Sequence, residues 1–207
     1  MLRIMRELII KAAQDAVVAA QKLQDPASLQ FIEATAALLS ETFNRGGKVI
    51  IAGNGGSLCD ASHFAEELTG LFRSYREALP AIALSEPAHI TCTGNDLGFE
   101  WIFARGVEAY GKAGDVFVGL STSGNSPNII KAFEIAKQRG LKTVAFLGKG
   151  GGKLKGVADL ELCIDGFSFS DRIQEVHMAA IHIIIEMVET VLFPEKMPLH
   201  QSPYAEC

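Results

Sequence analysis

The sequence predicts an α/β fold, a five-stranded parallel sheet flanked by helices, with two helices ahead of the first strand and one long helix after the last. Short runs rich in Val, Ile, Leu and Phe recur five times along the chain. Segments with apolar residues at helical spacing separate them. Two of the runs end in glycine- or serine-rich turns that open straight into a helix. Strands that alternate with helices of about 10 to 15 residues need crossover connections, which makes the strands parallel and covers both faces of the sheet.

Each element has its own signal. From Ile4 to Leu23 apolar residues follow a helical period, which Asp25-Pro26 breaks, and a second helix runs from Ala27 to about Asn44 before Gly46-Gly47 stops it. With no strand before them, these helices must pack on one another, on the C-terminal helix or on another subunit. Lys48–Ala52 is the first strand, Gly53–Ser57 its turn, and Leu58–Leu68 a helix. Pro80–Leu84 is the second strand; a short helix over Ala88–Thr93, a turn at Gly94-Asn95-Asp96 and a helix over Phe99–Tyr110 follow. Asp115–Leu120 is the third strand and delivers the loop Ser121–Asn128, with Ser126 placed as N-cap and Pro127 at the first helical position. Ile129–Arg139 is helical, and Lys142–Leu147 and Leu160–Ile164 are the fourth and fifth strands, with a glycine loop at Gly148 and Gly150–Gly152 between them. The last helix spans Asp171–Val191, and 194–207 reads as a polar, loose tail, so that 1–193 forms one domain with a helical extension at 1–45.

Size and charge exclude several classes. A chain of 207 residues with 48% hydrophobic residues supports one full core. The formal charge of −5 argues against nucleic acid as a partner, since no excess of Lys and Arg is present to displace counterions. The most apolar helix carries His177, His182, Glu186 and Glu189, which a membrane span tolerates poorly. The N-terminus does not have the form of a signal peptide, and four cysteines without C-x-x-C spacing fit reduced thiols in the cytoplasm.

Three groups of residues bear on chemistry. Ser121, Thr122, Ser123 and Ser126 gather four hydroxyls ahead of a helix whose first turn offers free N–H groups, a combination suited to a phosphate monoester. The same residues are also ordinary turn formers. The turn Gly53-Asn-Gly-Gly-Ser57 lacks a full dinucleotide fingerprint, yet lets backbone approach a ligand closely. Both loops fall at carboxyl ends of strands, where ligands bind in such sheets. His63 and Glu67 stand one helical turn apart, a spacing shared by metal half-sites, acid/base pairs and plain solvated faces. His182, among aliphatic neighbours, reads either as a neutral core histidine or as an acid/base or metal ligand.

Taken together, GNGGS-x-CDASHFAEELTG, the TGND of Thr93–Asp96, LSTSGNSPNI and SDRIQEVHMAAIHIIIE resemble the motifs of the bacterial phosphoheptose isomerases, members of the sugar-isomerase (SIS) fold, from about Gly46 to Glu186. The resemblance implies a flavodoxin-like three-layer sandwich whose terminal helices form an oligomer bundle. It implies interconversion of sedoheptulose 7-phosphate and a heptose 7-phosphate, the first step toward activated heptose for surface polysaccharide. Carried onto this sequence, the catalytic pair is Glu67 and His182. The substrate-binding set is Asn54, Gly55, Gly56, Ser57, Glu67, Asn95, Asp96, Ser121, Thr122, Ser123, Ser126, Asp171 and Gln174. One zinc per subunit falls to His63, Glu67, Gln174 and His182. Leu58 and Leu71 depart from the family pattern, and Arg73 or Arg76 is the candidate to replace an arginine expected where Leu71 stands.

Gln174 and His182 lie about 12 Å apart along a straight helix, so either the helix is distorted near Gln174 or one of the two zinc ligands comes from a neighbouring subunit. A site shared between subunits of a homotetramer follows as an expectation. The rival from another class is a non-catalytic relative that associates with the replication initiator; the presence of Glu67, Gln174 and His182 favours the enzyme.

Overall fold

A computed structural model describes residues 2–196. Seven α-helices and five strands follow in the order α1 (Leu2–Gln21), α2 (Pro26–Asn44), β1 (Val49–Gly53), α3 (Gly56–Thr69), β2 (Ala81–Ala83), α4 (Pro87–Leu97), α5 (Ile102–Tyr110), β3 (Val116–Ser121), α6 (Pro127–Gln138), β4 (Lys142–Gly148), β5 (Leu160–Ile164) and α7 (Ser170–Leu192). All strand pairs are parallel and the sheet order is β2-β1-β3-β4-β5. The chain leaves β1 toward one edge and returns to β3 on its other side, so the turns after β1 and β3 flank the point where a crevice opens.

Side-chain alternation sorts the sheet into two cores. Val49, Ile51, Val116, Val118, Leu120, Val144 and Phe146 face α2, α3 and α7, while Ile50, Phe117, Ala145 and Leu147 face α5 and α6. Three layers result, helices on either side of one sheet. The long apolar helix α7 is buried against protein, through Ile173, Val176, Ala180, Ile181, Ile184, Ile185 and Val188. Among the described residues no helix is long and apolar enough to cross a membrane. α1 behaves differently. Only Ala19 of it is buried, and Leu2, Ile4, Met5, Leu8, Ile9, Val17 and Val18 are each more than half exposed.

Several boundaries move. α3 begins at Gly56 rather than Leu58, because Gly55 at φ 56 turns the chain directly into the helix. The turn expected at Gly94-Asn95-Asp96 is instead the last part of α4, which Glu86 caps by accepting hydrogen bonds from Ala88 and His89 N–H; the helix ends at Gly98, φ 98. Ser126 does hold the N-cap position of α6, but its hydroxyl makes no capping bond. Pro194–Lys196, expected within a loose tail, forms a 3-10 turn whose Lys196 pairs with Glu77 at 3.0 Å; the rest of the tail, 197–207, lies outside the described residues. Cys59, Cys92 and Cys163 are unpaired.

Candidate active site

The turn after β1 and the loop after β3 are fastened together by a residue absent from the sequence-based site. Asn128, fully buried in the first turn of α6, donates to Asn54 Oδ1 and accepts from Asn54 Nδ2. Its Oδ1 also accepts from Ile129 N–H. A buried amide in a helix's first turn is a detectable sequence signal only once its partner loop is known.

The hydroxyls of the loop are distributed unevenly. Ser121 Oγ and Ser126 Oγ lie 3.1 Å apart, Thr122 Oγ1 donates to Ser170 Oγ, and Ser123 Oγ accepts from Asn125 N–H. The glycine loop braces this arrangement from behind. Leu154 N–H donates to Gly124 O and Lys153 N–H to Asn125 Oδ1, both at 3.1 Å. Gly124 has φ 62, and a Cβ there would sit 1.8 Å from Gly151 O, so only glycine fits. At the start of α3 a Cβ on Gly56 would meet the Gln174 amide, Nε2 at 2.6 Å, so a larger residue there would displace that side chain rather than backbone.

Further along α3, His63 and Glu67 come together with His182 of α7. Their ligand atoms all lie within 4.8 Å of one another, and each residue is half-buried. His63 Nε2 is 2.8 Å from His182 Nε2 and 3.4 Å from Glu67 Oε1. His63 Nδ1 lies 2.9 Å from Glu66 Oε1, so Nδ1–H donates to the carboxylate and the Nε2 lone pair faces inward. Two imidazole nitrogens at that separation require a proton or a cation between them. The donor set of two imidazoles and a carboxylate suits zinc. Burial first, and His63 second, hold the His182 imidazolium below its usual pKa. Phe72 stacks on the His182 ring at 5.8 Å.

The buried, neutral histidine of the last helix is His177, one turn and a half before His182. Its Nε2 donates to Leu147 O at 2.9 Å, and burial pushes its pKa down to about 4. The core environment weighed for His182 thus belongs to His177, while His182 itself is half-buried.

The other sequence-derived residues scatter around this centre. Gln174 lies against Gly56 and Ser57, 3.5 Å from Ser57 Oγ. Asp171 is exposed at the start of α7 and shares an open depression with Asp60, Gln174, Glu175 and Met178. Asn95 and Asp96 are exposed on α4 and bond to each other at 2.7 Å. Asp60, buried in α3, is pushed up to about 6 by its burial, with His63 opposing. Arg76 cannot stand in for a substrate-gripping arginine at Leu71, since it is 4% exposed and committed inside the protein; Arg73 pairs with Glu186 beside the triad.

The SIS domain family model matches residues 13–148. Phosphoheptose isomerase of Fusobacterium nucleatum is 62% identical over 163 residues, 79% of this chain and 84% of that protein. The chain belongs to the phosphoheptose isomerase family. The family member of Vibrio cholerae is 52% identical over 185 residues, 89% of this chain and 97% of its own. Solved phosphoheptose isomerases agree in fold. That of Neisseria gonorrhoeae superposes with a TM-score of 0.81 at 34% identity, covering 90% of this chain and 99% of that one. That of Francisella tularensis gives 0.80 at 34% identity, with 91% and 98% covered.

Proposed function

We propose that the chain is an aldose–ketose isomerase that converts sedoheptulose 7-phosphate to D-glycero-D-manno-heptose 7-phosphate through an enediolate. The His63–Glu67–His182 cluster, in a chain that belongs to the phosphoheptose isomerase family, carries this reading. Residues Asn54 to Ser57 and Ser121 to Ser126 hold the phosphate at the crevice between β1 and β3, through hydroxyls, backbone N–H groups and the N-terminus of α6. Asn95, Asp96, Asp171 and Gln174 complete the substrate-binding set. Glu67 takes a proton from C1 of the ketose and returns it to C2, and His182 carries a proton between the two oxygens. A neutral His182 suits that exchange, and burial together with His63 lowers its pKa in that direction.

Zinc, one per subunit, would be held by His63, Glu67, His182 and Gln174; a lone pair that Glu67 or His182 gives to the metal is not free for a proton, so proton transfer by either residue requires it to be off the metal. When bound, it supplies Lewis-acid polarisation of the substrate carbonyl. α7 runs as one helix from Ser170 to Leu192, so its Gln174 and His182 are about 12 Å apart along the axis. Gln174 therefore reaches the metal from a neighbouring subunit of a homotetramer, and the exposed apolar face of α1 supplies surface for that assembly. The unpaired cysteines support a cytoplasmic protein.

The test is an assay of heptose 7-phosphate formation from sedoheptulose 7-phosphate by native protein, by chelator-treated protein with zinc restored, and by Glu67→Gln. Turnover that Glu67→Gln abolishes is the expected result. Absence of turnover by zinc-replete native protein overturns the assignment and favours a binding scaffold.

A further inference from the structure

We infer that Arg76 and Glu189 are positioning residues, a buried ion pair that sets the register of α3 against α7 and thereby the separation of Glu67 from His182. The inference rests on the isomerase reading and its metal triad. Both side chains are 1% exposed, and Arg76 Nε donates to Glu189 Oε1 at 2.6 Å. The rest of the guanidinium is spent on the end of α3. Nη2 donates to Glu67 O at 2.7 Å, and Nη1 to Leu68 O at 2.8 Å and Glu77 O at 3.0 Å. The last carbonyls of a helix have no partner within it, and a cation there also meets the negative end of the helix dipole. Arg76 thus grips the backbone of Glu67 itself. Glu189 is seven residues beyond His182, the same face of α7 two turns on, about 10 Å along the axis. One side chain therefore ties the helix end that carries Glu67 to the helix that carries His182.

Stability alone does not account for such a pair. Buried ion pairs often exchange for apolar residues with little loss, because desolvation offsets the Coulombic gain. Glu189 Oε2 has no hydrogen-bond partner, which leaves the carboxylate incompletely compensated. What the fork provides and an apolar contact does not is a fixed geometry, since its N–H directions are rigid. An outer pair, Arg73–Glu186, repeats the spacing closer to His182, with Arg73 half exposed.

The experiment uses the full-length protein and cobalt(II) as the metal probe, read by its d–d absorption, together with turnover of sedoheptulose 7-phosphate. The variants are Arg76→Lys and the double change Arg76→Met/Glu189→Met. Each is expected to weaken cobalt binding by about tenfold or more and to change the shape of the cobalt spectrum. A fall in kcat of at least about tenfold, with KM within about twofold, is expected beside it. Variants that fold and bind cobalt with wild-type affinity and spectrum overturn the inference, and either variant suffices for that. If neither folds, the pair serves the fold rather than the register, and the inference also fails. A wild-type protein that takes up no cobalt overturns the metal reading together with this one.

Discussion

Asn54 and Asn128 close on each other through two side-chain hydrogen bonds of 2.9 and 2.8 Å, so the turn after β1 and the helix after β3 are one rigid piece at the mouth of the crevice. Asn128→Ala removes both bonds and leaves Asn54 Oδ1 and Nδ2 to water or to nothing. Stability is expected to fall by about 1–3 kcal/mol. KM for the sugar phosphate is expected to rise about tenfold, equivalent to about 1.4 kcal/mol, with kcat changed less. Urea denaturation and steady-state kinetics check the two halves; an unchanged KM would contradict a role for the pair in shaping the phosphate loops.

Gly124→Ala attacks the same loop from behind. Its Cβ has no room against Gly151 O, and its φ of 62 disfavours any side chain. The loop must shift, so binding of inorganic phosphate, followed by calorimetry, is expected to drop below detection while the far-UV circular dichroism stays native. Ala at Gly150, where a Cβ meets nothing within 4 Å although φ is 78, is the matched control and should retain phosphate affinity.

Glu66 presents its carboxylate to His63 Nδ1 and is 61% exposed, so its removal leaves no buried hole. Glu66→Ala is expected to weaken metal binding by about 10- to 100-fold, through loss of the tautomer that points the His63 Nε2 lone pair inward. Competition with a zinc chelator measures it. Unaltered affinity would show that the ring is oriented by packing alone.

His177 predicts an acid limb in stability. The unfolded chain protonates this histidine near pH 6.5 and the folded chain only near pH 4. The unfolded state therefore binds more protons in that interval, and stability, full above about pH 6.5, declines as pH falls toward 4, by about 3 kcal/mol at most. His177→Gln, which can still donate to Leu147 O, should flatten this part of the profile in urea titrations at pH 7 and 4.5. A profile of unchanged slope would assign the acid limb to other groups.

The sheet was legible in the sequence because its period is simple. Val49, Ile51, Val116 and Val118 alternate with Ile50 and Phe117 between two cores, and each strand is bounded by turn residues. The short helix over Ala88–Thr93 was legible too, but not its last turn, since Gly94, Asn95 and Asp96 carry turn chemistry yet continue a helix already begun and capped by Glu86. Within the candidate site, residues one turn apart, such as His63 and Glu67, could be paired on paper. The roles of His177 and His182 could not be told apart, because both lie in the same apolar helix and only the packing of β4 under one of them separates buried from half-buried. Asn128 and Glu66 were invisible as site residues, and Arg76 was read as a substrate-gripping candidate, for a related reason: each acts through a partner that the chain supplies only once folded.

The triad also has an order of manufacture. His182 is made 119 residues after His63, on the last long helix among the described residues. A ribosome that has released every strand of the sheet and both crevice loops has still not completed the His–Glu–His cluster. The chain made as far as β5 lacks one wall of its larger core as well as the third member of the cluster, and both arrive together when α7 packs against α2 and α3. Stalled or truncated chains that stop short of α7 hold two of the three cluster residues and a sheet uncovered by that helix.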